Sequence, residues 1–259
     1  MTTSTLSRAR ELLRGPKVLL GLLPLALGLV LWQLLGDERS LSFPPPSTWI
    51  DSLRNLHDQG LLIGAVQMTL KTFSLSLVVA TVFGVLLGVL IGGSAKADRA
   101  LGPLLELIRV IPPPALVPVI AVLLGPSTSS GVTIVTLAIV WPILLSTATS
   151  LRQVPAVRRE AAVSMGLSRT DTFFKVVAPS LIPGVLVGIR VAISVSLVVT
   201  LLADILGVGQ GLGALISERQ QSLDAPAVWG LLLLIGIFGF VLNGLLNVIE
   251  RRLLRNHPS

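Results

Sequence analysis

The chain has 259 residues, 52% of them apolar and 13% charged, with a mean hydropathy of +0.86 and a formal net charge of +7. That balance excludes an ordinary water-soluble domain and places the chain among integral membrane proteins. It has no cysteine, and its two histidines, His57 and His257, lie in polar stretches, so disulfides, thiolate chemistry and a zinc or haem centre are excluded.

The excess of positive charge is not a nucleic-acid signal, because Lys and Arg gather at the ends of apolar segments, where membrane topology and anionic lipid account for them. A basic arm (Arg8, Arg10, Arg14, Lys17) precedes the apolar run 18–35. No small-x-small cleavage pattern follows, so this run is expected to be an uncleaved first span. The proline-rich stretch Phe43, Pro44, Pro45, Pro46, Ser47 then reads as an extended linker.

A second span is expected over 66–92, with Lys71 near its outer end and able to snorkel to the interface. Ala80, Gly84, Gly88 and Gly92 recur every four residues along it and form one small-residue stripe for close helix packing. The third span, 101–124, carries Pro112, Pro113 and Pro114, which remove three backbone donors and must bend or break the helix. Such breaks at membrane depth line protein-enclosed cavities. Span four (132–150) contains Trp141 and Pro142; spans five (181–206) and six (227–249) follow, the last stopped by Glu250, Arg251 and Arg252. About six spans in an all-α membrane protein put both termini on one side. A cytoplasmic assignment of the N-terminal arm, Lys96 and Arg99, the basic residues of 152–175 and the C-terminal tail accounts for most of the 20 Lys and Arg residues. Arg39, Arg54, Lys71 and Arg219 fall outside, and Arg109 and Arg190 within spans. Both termini are therefore expected in the cytoplasm.

The longest cytoplasmic connection, 151–180, reads as two short helices. Pro155 suits the first turn of one, Gly166 its left-handed end, and Ser168 with Asp171 a capping box for the next. Phe173, Phe174, Val176 and Val177 give the second an apolar side to pack beneath the bundle, leaving the bend at 166–170 projecting. From the residues alone, this elbow is a structural connector or a docking point for a cytoplasmic partner; a DNA-binding helix-turn-helix is disfavoured by its tether to spans at both ends.

Glu160, Ala161 and Ala162, then Gly166 after three residues, and Val176, Val177, Ala178 and Pro179 nine residues later resemble the EAA motif of ABC importer permeases, EAA-x3-G-x9-I-x-LP. Val176 and Ala178 stand where that family prefers isoleucine and leucine. The resemblance covers about residues 20–255. The proline-rich start, the run Arg109, Val110, Ile111, Pro112, Pro113, the run Trp141, Pro142, Ile143, and Gly211, Leu212, Gly213 are similar to the sulfonate, taurine and nitrate permease subfamily. Asp204 stands where that subfamily usually has glutamate.

The resemblance implies a single permease domain over 1–259 with the type I ABC importer permease (MetI-like) fold, in the bacterial inner membrane. It implies a second permease chain, read as a copy of this one, two cytoplasmic ATPase subunits and an extracytoplasmic solute-binding protein. The elbow would be a coupling helix, with Glu160, Ala161, Ala162 and Gly166 docking the ATPase and Leu167, Ser168 and Arg169 in the projecting bend beside them. The subfamily favours a small oxyanion such as a sulfonate, taurine or nitrate, although related permeases carry vitamin precursors and other organic solutes.

Arg109 and Arg190, charged within spans, are candidates for the substrate pathway. Arg109 has Glu106 three residues earlier as a structural partner. No acidic residue stands within a helical turn of Arg190 in the sequence, and Asp204, 14 residues further along, is about 21 Å away on one helix. A membrane enzyme is disfavoured: the spans hold no paired carboxylates, no histidine and no G-x-S-x-G elbow. A stand-alone channel or ion-coupled transporter remains the competing class. The glycine run 207–214 follows a membrane helix, so it reads as an outer turn rather than a dinucleotide site. With no phosphate loop of the G-x4-GK-[ST] kind, the chain is expected to hold no cofactor of its own, ATP and Mg belonging to the partner ATPase.

Overall fold

The computed structural model describes residues 14–254 apart from 39 and 41, with side-chain surroundings from 23 to 245. The basic arm at Arg8 and Arg10, Arg39 and the tail with His257 lie outside the described residues. Helix α1 (Arg14–Leu35) is 22 residues long, about 33 Å at helical rise, the thickness of the hydrocarbon layer. The proline stretch is shorter than the sequence implies: Pro45 is extended (φ −67°, ψ 146°) and Pro46 opens a helix, α2 (Pro46–Asp58). Proline loses nothing in a first helical turn, where its missing N–H would have had no partner.

Helix α3 (Leu61–Gly93) is 33 residues long and begins five residues before the expected second span, which leaves Lys71 ten residues inside it. Next come α4 (Ala95–Val110) and α5 (Pro113–Leu124), then α6 (Thr128–Gln153). The expected third span is this α4–α5 pair, bent by 90° at the proline run. Each proline lacks an N–H, and α5 can only restart with prolines in its own first turn. The elbow helix α7 (Ala156–Ser164) leads to α8 (Arg169–Ile205), followed by α9 (Leu212–Gln221) and α10 (Ala225–Leu254). Among the described residues, α3, α6, α8 and α10 are each long and apolar enough to cross a membrane, and the α4–α5 pair makes a fifth if counted as one broken span.

The small-residue stripe packs as its spacing requires. A Cβ at Gly84 would meet Ile143, at Gly88 Thr147, and at Gly92 the backbone of Ala148, while Ala80 is fully buried. Gly131 faces Thr72 further up the seam, so residue numbers rise together on the two helices and α3 runs parallel to α6. Parallel neighbours need a return crossing between them, and the bent α4–α5 pair provides it. Helix α8 runs the other way along α6, with Gly184 at Ser150 and Gly188 at Ile143. The central core lies between these helices, with Ile134, Val135, Ile139, Ile143, Ala192 and Ala203 buried in it.

The elbow thus sits at the Gly92 end of the bundle, and the start of α9 sits at the other, where Leu212 N–H donates to Thr69 Oγ1 at 2.8 Å. At that far end Leu56, Ala65, Leu212, Leu215, Ile216, Ala227 and Leu231 form a second core joining α2, α3, α9 and α10. Trp32 of α1 is stacked on Phe43 at 4.5 Å and set edge-on to Trp49 and Trp229 at 5.0 and 4.7 Å. Three tryptophans at one level, with Trp49 Nε1 donating to the Pro44 carbonyl, tie α1 to α2 and α10 and suit a membrane interface.

Candidate functional site

The elbow is built by local backbone chemistry. Helix α6 stops at Gln153, Val154 turns extended, and Pro155 stands as the residue just before α7 rather than in its first turn. At the far end of α7, Gly166 takes φ +78°, a left-handed conformation that a side chain would strain. There Gly166 N–H donates to the Val163 carbonyl at 2.9 Å and Leu167 N–H to the Ala162 carbonyl at 3.1 Å, the paired bonds that end a helix at glycine. Ser168 Oγ then accepts from Asp171 N–H at 3.0 Å and opens α8. The reciprocal half of the box differs from expectation, since Asp171 Oδ2 takes the Ser168 hydroxyl, at 2.6 Å, and Oδ1 pairs with Lys175 at 2.7 Å.

The expected second short helix does not end. It runs on through a π turn at Phe173–Val177 into the membrane-spanning part of α8, with Ala178 N–H bonding the Phe173 carbonyl five residues back. The wider turn carries the helix past Pro179, which has no N–H to give. Phe173 and Val177 pack with Leu151, Val154 and Leu181 and root the elbow in the bundle. Phe174 does not join that cluster; it is 66% exposed and meets Phe173 edge-on, with ring centroids 5.2 Å apart.

Of the motif residues, Glu160, Ala161, Gly166, Ser168 and Arg169 are exposed and Leu167 is half-buried. Ala162 is fully buried, so its small side chain serves packing within the elbow. The exposed surface also includes Val157, Val163 and Met165, beside Arg158 and Arg159. The helix therefore offers an apolar strip edged by charges, which water alone would not favour.

Two hollows lie near the elbow. One is a groove of about 560 Å³ between α6 and α8, lined by Ser146, Thr149, Ser150, Gln153, Ser180 and Arg158 among others. Leu145, Val154, Pro183 and Val187 line it as well, so the groove sets these hydroxyl and amide groups among apolar neighbours. The sequence held the signal, a polar set at helical spacing (Ser146, Thr149, Ser150, Gln153), but the expected pathway residues were sought among charges instead. The other hollow, about 170 Å³ between α4 and α6, is lined by Arg109, Glu106, Asp98, Trp141 and Arg152.

Arg109 and Glu106 share that cleft without forming an ion pair among the described residues; the pair there is Arg152 with Asp98, at 2.7 Å. Arg190 is exposed on α8 and lies in neither hollow. It does not meet Asp204, which is buried at the far end of the same helix.

A family model described as "Binding-protein-dependent transport system inner membrane component" matches residues 80–255, which include the stripe, both hollows and the whole elbow. The chain belongs to that family. Among curated relatives, it is 28% identical to the nitrate import permease protein NrtB of Leptolyngbya laminosa, over 96% of this chain and 97% of that one. It is also 28% identical to the taurine transport system permease protein TauC of Escherichia coli (92% and 89% covered). Identity to the putative aliphatic sulfonates transport permease protein SsuC of Bacillus subtilis is 25% (91% and 86%). Among solved structures, a chain of the MetNI methionine ABC transporter superposes with a TM-score of 0.62 at 21% identity, covering 78% of this chain and 98% of that one. A chain of an amino acid ABC transporter gives 0.63 at 19%, with 77% and 97% covered. The permease is thus an ABC importer membrane subunit with the type I fold, and its relatives fall in the subfamily that the proline-rich start and the Arg109–Pro113 run pointed to.

Proposed function

We propose that this permease forms the translocation path of an ATP-driven importer of a small oxyanion, and that the elbow at 151–180 seats it on two cytoplasmic ATPase subunits. The exposed strip of α7 carries this reading: Val157, Ala161 and Met165, four residues apart, present one apolar face on a helix anchored by the buried Ala162, and Val163 is exposed on another side. Small and apolar residues flanked by Arg158, Arg159, Glu160 and Arg169 suit a partner groove with complementary charge. The rigid turn at Gly166 and Ser168 transmits movement, because α8 runs without a break from the elbow to the other end of the bundle.

The elbow end is cytoplasmic in this reading, in keeping with the density of Arg and Lys there, and both termini share that side. A second copy of the chain completes the pathway, and a solute-binding protein delivers substrate at the opposite end. The likeness to nitrate, taurine and sulfonate permeases supports a small anion as cargo. Arg109 in its cleft, Arg190 on α8 and Arg158 at the groove mouth are the cations that would draw it inward. ATP and Mg bind the ATPase and not this chain.

The test is affinity purification of the detergent-solubilised permease from its host, wild type beside Glu160→Lys. The wild type should retain an ATPase with a phosphate-loop motif, and the variant should lose it by about tenfold, because the reversed charge would face a groove complementary to glutamate. Recovery of no ATPase by either form would replace this reading with a stand-alone channel or ion-coupled transporter.

A further inference from the structure

Helix α9 begins without a cap of its own. Its N-cap residue is Gly211, which has no side chain to receive the first free N–H groups of the helix. Those groups are met instead from two other helices. Leu212 N–H donates to Thr69 Oγ1 of α3 at 2.8 Å. The carboxylate of Asp204, at the end of α8, is packed against Gly211, Gly213 and Thr69, beside the first free N–H groups of α9, and its Oδ2 is buried with no hydrogen-bond partner among the described residues.

The glycines around this carboxylate leave room for it and for little else. A Cβ at Gly209 would meet Asp204 first, one at Gly211 would meet Asp204 and Thr69, and one at Gly213 would meet Asp204 and the Leu201 carbonyl. The approach to the cage is set by a second left-handed glycine. Gly207, at φ +86°, ends α8 with Gly207 N–H on the Asp204 carbonyl at 3.0 Å and Val208 N–H on the Ala203 carbonyl at 3.1 Å. Asp204 is 2% exposed and Thr69 1%, so both sit inside the bundle.

We propose that Asp204 is a positioning residue: its carboxylate caps α9 from inside the bundle and, with Thr69, pins that helix across the end opposite the elbow. A negative group at a helix N-terminus is favoured by the free N–H groups and the helix dipole, and the favour grows where water is excluded. The short aspartate is required, since a glutamate would push its carboxylate into Gly209, Gly211 or Gly213. The pin ties α9 directly to α3 and α8, two of the spanning helices. Resting on the permease reading, it sets how readily the end opposite the elbow opens when the bundle changes state.

The chain has no cysteine, so single thiols report cleanly. Leu215→Cys places one on α9 at a site 6% exposed, and Val154→Cys places a control at the elbow end, 5% exposed. In membrane vesicles treated with N-ethylmaleimide, Asp204→Ala should raise the labelling rate at 215 about tenfold or more, the effect of losing charge-assisted bonds that hold a local unit closed. Asp204→Asn, which keeps one acceptor oxygen, should fall between, and Asp204→Glu should behave like Asp204→Ala. Gly209→Ala should also speed labelling, and by less in the Asp204→Ala background, where the carboxylate that its added methyl meets first is gone. Unchanged labelling at 215 in Asp204→Ala would overturn the proposal, as would an equal rise at 154, which would mean general loosening. The labelling needs no ATPase, so a failed purification in the preceding section would sink the permease reading and leave this one standing.

Discussion

Replacing Gly92 with alanine tests the α3–α6 seam where the nearest atoms are all backbone. The added Cβ would stand 2.8 Å from both the Cα and the carbonyl oxygen of Ala148, where ordinary contact is 3.4–4 Å. Neither atom belongs to a side chain that can rotate away, so the helices must part by about 0.6 Å or more in a close-packed interior. Gly88 and Gly84 lie on the same seam with similar clearances, so the displacement spreads along it. Overpacking of this kind costs about 1–3 kcal/mol, and the better helix propensity of alanine returns at most about 1 kcal/mol. A net loss of about 1–2 kcal/mol corresponds to a fall in Tm of about 2–8 °C for a chain of this size. Tryptophan fluorescence during heating of the purified permease in detergent would measure it. Gly93→Ala is the control one residue away: its Cβ would meet only Leu151 Cδ2, at 3.5 Å, and its Tm should hold or rise slightly. Equal shifts for the two variants would refute the argument that one face of α3 decides the packing.

Two further outcomes follow from local geometry. Gly166→Ala meets nothing within 4 Å but must hold φ +78°, at a cost of about 1–2 kcal/mol in the bend. Amide exchange at 165–170 should quicken while the melting temperature of the bundle stays unchanged; loss of the whole fold would show that the elbow is not a separate unit. The Arg152–Asp98 pair is half exposed, at 50% and 43% of side-chain area, so Arg152→Gln should cost less than about 1 kcal/mol. Exchanging the two residues should restore that loss in a double-mutant cycle, and a cycle with no coupling would reduce the contact to coincidence.

Features that depend on one segment were legible in the sequence. The apolar runs became α1, α3, α6, α8 and α10 because each stretch must satisfy its own backbone in lipid, a requirement written into local composition. Gly166 and Ser168 read correctly for the same reason: a left-handed residue and an N-cap act within four or five residues. The stripe from Ala80 to Gly92 announced a close neighbour, although not which one. The EAA-like residues placed the chain in its family, which the match over 80–255 then showed.

Where reading the chain fell short, the deciding contact was remote or the element too short for a hydropathy average. Helices α2 and α9, of 13 and 10 residues, went unread: the linker reading at 43–47 touches only the first two residues of α2, and the outer-turn reading at 207–214 only the start of α9. The prolines at 112–114 promised a break, but its 90° angle depends on how α4 and α5 pack around α6. Ala162 is buried and Phe174 exposed because the packing of the elbow on the bundle decides which side of each helix turns inward.

Composition and local pattern alone determined that this is a multi-pass helical membrane protein with a capped elbow between two of its spans, and its EAA-like residues carried the resemblance to the family that the match over 80–255 shows. Only the tertiary structure decided that α3 and α6 run parallel, that a polar groove opens between α6 and α8, and that Asp204 serves α9. Each of these is a meeting of residues far apart in the chain, Thr69 and Leu212 most of all, and such meetings are set by the packing of the whole bundle.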